Sequence, residues 1–181
     1  LDRLGSDIEM VVTNQSIPGD PDQMRRITGL NTDETGYVVY TADSVKRAHE
    51  VRNKKLHAVK DALICPEVYG DESGDLLVVG WGSSKGTLYE AVDTARAAGL
   101  SVSGLHVKTV FPLAPQLADI FKQFKQVASV ELAYGDEKRH SPFTMFLRSE
   151  TLVDVKSAVT KSTGRPMKPI EILSRIKELL S

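Results

Sequence analysis

"LLVVGWGSSKGTLYEAVDTARAAGL", residues 76–100, decides the fold. Leu76 to Gly80 is a short, wholly apolar run of the kind that a buried parallel strand requires. Gly80-Trp81-Gly82 ends it in a turn. Ser84 to Ala98 then repeats apolar residues at helical spacing, with Leu88, Ala91, Val92 and Ala95 on one face. Gly99 stands where a left-handed C-terminal cap is wanted. A strand, a glycine turn and a helix in this order form the first half of a βαβ unit.

Working outward, Val102 to Val107 reads as the next strand and Pro115 to Lys125 as a helix with Leu117, Ile120, Phe121 and Phe124 inward. Val127 to Leu132 reads as a third strand, Phe143 to Leu147 as a fourth, and Leu152 to Thr160 as helical. Pro169 suits the first turn of a last helix, with Ile170, Leu173, Ile176 and Leu180 as its buried stripe. Upstream, Asp43 to Leu63 reads as a helix capped by Asp43 or Ser44, with Lys46, Arg47, Arg52, Lys54, Lys55 and Lys60 on a basic face. That face is a solvated surface or a contact for an acidic partner or phosphate. "IEMVVTN", residues 8–14, reads as a short strand, and Gln15 to Tyr40 as an extended arm, since it carries glycine, proline and acidic residues without a period. The expectation is a three-layer α/β/α domain with a mostly parallel sheet over residues 70–181. An arm and basic helix, residues 1–69, precede it.

Composition narrows the function. Hydrophobic residues make up 41% and charged residues 26%, the balance of a globular protein. A net charge of -1 gives no field that would draw nucleic acid or anionic lipid, and no apolar run approaches the ~20 residues of a membrane span. Cys65 is the only cysteine, so no disulfide, thiolate zinc site or iron–sulfur cluster forms within the chain. Together with the missing signal segment, this points to the cytoplasm.

The turn fits no nucleotide fingerprint closely. In Gly80-Trp81-Gly82-Ser83-Ser84-Lys85-Gly86 the third glycine falls one residue late for G-x-G-x-x-G, and the second strand, "LHVKTV", ends without the acidic residue that would hold a ribose. Lys85-Gly86-Thr87 matches a P-loop only with Lys and Gly exchanged. Gly82 still permits a tight turn, Ser83 or Ser84 can cap the helix, and the free N–H groups there can meet an anion. Two readings stay open: a plain bend, or a contact through Gly82, Ser83, Ser84 and Gly86. His49 and His57 lie eight residues apart on one helix, too far to share a metal. His106 reads as a satisfied core or sheet-end histidine. The acidic pairs Asp33-Glu34 and Asp136-Glu137 read as solvated loops. No catalytic constellation and no metal site emerges.

In their order, several stretches resemble the second domain of the alpha subunit of 2-oxoacid:ferredoxin oxidoreductases, the 2-oxoglutarate or pyruvate synthase family. The matching residues are Trp81, Gly82, Ser83, Gly86, Leu105, His106, Phe111-Pro112 and Glu131. Upstream, "ITGLNTDETGYVVYTADSVKRAHEVRNKKL" resembles the family's T-G-x-E-H-x-E-x-G arm and basic helix. Downstream, Thr163-Gly164-Arg165-Pro166 resembles its tail. The chain departs at Asn31-Thr32, where the family often has Glu-His. It departs again in "LAYGDEKRHSPFTMF" after Glu131, where the family usually runs into Asn and a Gly-Gln-Leu turn.

The resemblance implies a transketolase C-terminal-like fold within an enzyme that decarboxylates a 2-oxoacid, 2-oxoglutarate ahead of pyruvate. Such an enzyme uses thiamin diphosphate and Mg2+, passes electrons through iron–sulfur clusters to ferredoxin, and delivers the acyl group to coenzyme A. It implies a pyrimidine-binding domain and a beta subunit as partners, with the arm and Arg52, Lys54 and Lys55 helping to dock them. This chain has no G-D-G…N motif and no cluster cysteines, so it is expected to bind no cofactor alone, apart from a coenzyme A or other anion contact at the glycine turn. It is expected to serve subunit packing and active-site shaping. The alternative is a stand-alone Rossmann-like nucleotide- or coenzyme A-binding module, or an interaction module acting through its arm.

Overall fold

The computed structural model describes residues 19–21, 29–33 and 35–181. The expected strand at 8–14 and much of the expected arm lie outside the described residues. The chain divides into two compact units, Leu1–Leu63 and Ile64–Ser181.

In the first unit, α1 spans Ala42–Asp61. Its cap is Thr41, not the expected Asp43 or Ser44. The Thr41 hydroxyl accepts from the Ser44 N–H at 3.3 Å, as a β-region residue two or three places ahead can do. Thr32 and Val38 form an antiparallel bridge, and Asp33 holds the bend between them. Its carboxylate accepts from the Thr35 hydroxyl (2.6 Å) and the N–H groups of Thr35 (2.9 Å) and Tyr37 (3.0 Å). The Thr35 hydroxyl bond, chief among these, pulls the Asp33 carboxyl below its ordinary pKa.

The second unit is a five-stranded sheet in the order β1-β3-β2-β4-β5. The strands are β1 (Val68–Tyr69), β2 (Gly74–Trp81), β3 (Val102–Val107), β4 (Phe124–Glu131) and β5 (Val155–Thr160). All pairings are parallel except β1 with β3. The helices are α2 (Lys85–Ala97), α3 (Leu117–Phe121), α4 (Pro142–Thr151) and α5 (Pro169–Leu180). On β2, Leu76 and Val78 point into one apolar layer with Leu88, Val92, Ile172 and Ile176 of α2 and α5. Leu77 and Val79 point the other way, toward the layer of α3 and α4. The three-layer, mostly parallel α/β/α architecture is as expected.

Five assignments need correction. Phe143 to Leu147 is not a strand but part of α4. Pro142 sits in its first turn, and the buried residues Phe143, Leu147 and Thr151 recur every fourth position. Leu152 to Thr160 is not a helix. Leu152 ends α4 in a left-handed conformation (φ 56°), and β5 follows. Pro115 to Lys125 contains only the single-turn α3, and Phe124 and Lys125 already belong to β4, which runs to Glu131 rather than from Val127 to Leu132. In α5 the buried stripe is Ile172, Leu173 and Ile176, while Ile170 faces solvent and Leu180 is half-buried. Gly99 does form the left-handed cap (φ 83°), with its N–H on Arg96 O and the Leu100 N–H on Ala95 O.

β5 is an edge strand, yet it is shielded. Ser157 pairs with Ser129 and Val159 with Val130, so Ala158 is an extra, bulged residue. Arg175 Nε donates to its carbonyl at 3.0 Å, and Arg148 donates to Val155 O at 3.0 Å. The two guanidinium groups occupy acceptors that a foreign strand would need.

Candidate functional site

Parallel topology brings the carboxyl ends of β2, β3, β4 and β5 to one edge, the usual place for a ligand in such sheets. At the end of β2 the chain does not enter α2 directly. Gly82 takes a left-handed backbone (φ 61°) and opens a 3-10 turn, Gly82–Ser84. The turn directs the Gly82 carbonyl toward β3, where His106 Nε2 lies 2.9 Å away. A carbonyl only accepts, so Nε2 carries the hydrogen. His106 is thus the satisfied sheet-end histidine that the sequence suggested.

The serines do not cap α2. Ser84 is buried, and its hydroxyl donates back to Trp81 O at 2.8 Å. Neither the turn nor α2 has a side-chain cap. A Cβ on Gly82 would meet nothing within 4 Å, so this position needs glycine for its backbone angle and not for space. Gly82→Ala is therefore expected to cost about 1–2 kcal/mol of stability, read as a lower urea midpoint with an unchanged slope.

Ser83 and Ser84 border a cleft of about 570 Å³ together with Thr87, Leu132, Lys161 and Arg165. Gly82 and Gly86 do not line it. Lys161 is already committed, donating to the Glu171 carboxylate at 2.7 and 2.9 Å and to Pro166 O at 2.9 Å. Arg165 is exposed and makes no hydrogen bond or ion pair with the described residues. These two cations, at the end of β5 and in the loop after it, were not singled out from sequence as site residues. The Thr163-Gly164-Arg165-Pro166 segment was the available signal.

The Lys161 ammonium, with the Lys168 N–H behind it, holds the Glu171 carboxyl below its ordinary pKa. A depressed carboxylate stabilises the fold above its unfolded pKa, and that stabilisation is lost as pH falls through the folded value. Glu171→Gln should therefore lower stability at neutral pH. The gap to the parent should narrow as a urea titration is repeated from near pH 4.5, the ordinary Glu value, downward.

On the other side of the same edge, Glu131 ends β4 only 4% exposed. Its carboxylate accepts from the Phe143 N–H at 3.0 Å, at the N-terminal turn of α4. Beneath it, the Thr144 hydroxyl lies 2.6 Å from Ser129 Oγ, 2.8 Å from Ser141 Oγ and 2.8 Å from Ser157 Oγ. This buried network fixes α4 on β4 and β5.

The histidines come to nothing shared. His49 and His57 stay on α1, and His140 Nδ1 faces Ser157 Oγ at 3.3 Å. Among the described residues no three His, Cys, Asp or Glu side chains are grouped to hold a metal. Among the described residues, the donors at this edge, serine and threonine hydroxyls with Lys161 and Arg165, do not fit Mg2+ with a diphosphate or an iron–sulfur cluster.

A family model for the pyruvate:ferredoxin oxidoreductase core domain II matches residues 74–177. The chain is 32% identical over 162 residues to the 2-oxoglutarate oxidoreductase subunit KorA of Mycobacterium tuberculosis, covering 87% of this chain and 23% of that protein. It is 27% identical over 160 residues to the 2-oxoacid:ferredoxin oxidoreductase 2 subunit alpha of Aeropyrum pernix, covering 85% and 24%. The chain thus spans about a quarter of the length of these curated relatives. Among solved structures, it is similar to the 2-oxoglutarate:ferredoxin oxidoreductase of Magnetococcus marinus, solved with 2-oxoglutarate, coenzyme A and succinyl-CoA bound. That match has a TM-score of 0.74 and 26% identity, and covers 98% of this chain and 30% of the other.

Proposed function

The chain belongs to the pyruvate:ferredoxin oxidoreductase core domain II family, and from that premise we propose that it works as the C-terminal part of the alpha subunit of a 2-oxoacid:ferredoxin oxidoreductase. The observation that carries this reading is the family match over residues 74–177 together with relatives that are themselves oxidoreductase alpha-type subunits. The reaction proposed for the whole enzyme converts a 2-oxoacid, coenzyme A and oxidised ferredoxin to acyl-CoA, CO2 and reduced ferredoxin. 2-Oxoglutarate is favoured over pyruvate as substrate because both KorA and the Magnetococcus marinus enzyme are named for it.

The domain's own part is packing and active-site shaping. Among the described residues no three His, Cys, Asp or Glu side chains are grouped to hold a metal, and in this reading other parts of the enzyme hold thiamin diphosphate, Mg2+ and the clusters. Its partners are then a pyrimidine-binding domain and a beta subunit, with ferredoxin reached through the complex. No helix among the described residues is long and apolar enough to cross a membrane. The reading places the enzyme in the cytoplasm.

A second reading rests on Arg165, which has no partner among the described residues and lines the cleft that Ser83 and Ser84 border. It gives that cleft one anionic group of coenzyme A. Arg165→Ala in the enzyme would then raise KM for coenzyme A and leave KM for the 2-oxoacid unchanged.

Immunodepletion tests the main reading. An antibody against this chain should remove 2-oxoglutarate- and coenzyme A-dependent viologen reduction from an extract of the source cells. Activity that stays in the depleted extract, with the chain gone, would overturn it.

A further inference from the structure

The carboxyl edge carries an exposed aromatic ridge that no part of the second unit covers. Trp81 at the end of β2 is 40% exposed and Phe111, after β3, is 64% exposed. Two ring contacts tie them to α4. Trp81 packs on Phe143 with centroids 5.9 Å apart, and Phe111 packs on Phe146 at 6.1 Å. Phe143 and Phe146 stand three residues apart on one helix and are therefore neighbours. The ridge takes the only tryptophan of the chain and three of its five phenylalanines.

Single exposed apolar residues are ordinary, but a connected group of large aromatics marks an interaction surface. Aromatic and Met residues are enriched at the centres of protein interfaces, and charges are depleted there. Residues 142–147 of α4 accordingly carry no charge. The ridge is also preorganised. The Glu131 carboxylate holds the Phe143 N–H, and the Thr144 hydroxyl is fixed by Ser129 and Ser141, so α4 need not order on binding.

We propose that this ridge is the docking face for the remainder of the chain's own alpha subunit, an inference that rests on the function proposed above. The match covers only 30% of the Magnetococcus marinus chain and about a quarter of the curated alpha-type relatives. A segment covalently joined to this domain meets the ridge at an effective concentration near millimolar, ahead of any free subunit or second copy. An uncharged aromatic face suits such a permanent contact.

The test uses the intact enzyme. Phe111 and Trp81 are each replaced by p-benzoylphenylalanine in separate variants, and Lys122, exposed just before the amino end of β4, serves as the control position. After irradiation the crosslinked peptides are mapped. The ridge positions should crosslink within their own polypeptide, outside residues 1–181, about tenfold more than position 122 does. Either variant alone answers the question if the other fails to assemble. Crosslinks to a different polypeptide, to a second copy, or no more than at the control would overturn the proposal. If the enzyme carrying the variants still oxidises 2-oxoglutarate, that failure is the ridge's alone. If the native polypeptide has no such activity, it is the functional reading that fails.

Discussion

Gly80→Leu should remove much of the sheet's stability, while Gly86→Ala, six residues away, should leave stability unchanged or slightly raised. Both are glycines of the turn, and the difference is space. An ideal Cβ on Gly80 would lie 2.6 Å from Ser84 Oγ and 3.2 Å from both Leu88 Cδ2 and Val130 Cγ2. Ser84 cannot swing away freely, because it is buried and its hydroxyl is bound to Trp81 O. Leu88 and Val130 are fully buried in the layer of α2 and α5. Overpacking of this kind costs about 1–3 kcal/mol for a methyl group and more for a larger side chain. Leu would thus consume much of the roughly 5–15 kcal/mol by which a domain is held. A Cβ on Gly86 meets nothing within 4 Å, and its backbone is helical. Alanine there gains up to about 1 kcal/mol of helix propensity. Urea denaturation of the Gly80→Ala, Gly80→Leu and Gly86→Ala proteins reads both signs in one series.

The second large effect is expected at Phe121. Its side chain is fully buried at the end of α3, a helix of five residues. One turn of helix has no stability of its own, so α3 persists only through what it buries. Leu117 and Phe121 are those anchors. Phe121→Ala removes the larger one and leaves a void where the chain on either side is tied to β3 and β4. A loss of about 3–5 kcal/mol is expected, seen as a lower thermal midpoint. Ile120→Ala, at a half-buried position on the same turn, should cost clearly less.

The elements that were legible in the sequence are those whose pattern has one reading. Leu76 to Gly80 is a continuous apolar run closed by glycine, and α2 shows four small or apolar residues at helical spacing ending at Gly99. Residues 142–160 misled because local preference and tertiary role diverge. Phe143, Thr144, Met145, Phe146 and Leu147 form an aromatic, β-branched and apolar cluster that resembles a buried strand. Only Pro142 at the first turn, and the four-residue recurrence through Thr151, mark the helix. In β5 just Val155 is buried, because the strand lies at an edge, so the usual buried-strand signal is missing.

The site was legible only in part for a different reason. Ser83 and Ser84 stood out beside the glycines, but Lys161 and Arg165 reach the same cleft only because β4 pairs with β2 and carries β5 on its other side. That neighbourhood spans about eighty residues of sequence and leaves no local trace. Glu131 was visible as part of a motif, yet its task of holding the start of α4 appears only once residue 143 is known to begin a helix.

If, as proposed, this domain belongs to a larger oxidoreductase subunit and contributes packing rather than chemistry, the native polypeptide is much longer than this chain. The most direct measurement is the size of the native polypeptide in its source cells, probed with an antibody against this chain, together with the cofactor content of what co-purifies. A band well above 19.8 kDa is expected, in a complex that carries thiamin diphosphate and iron–sulfur clusters. A lone band near 19.8 kDa without those cofactors would contradict it.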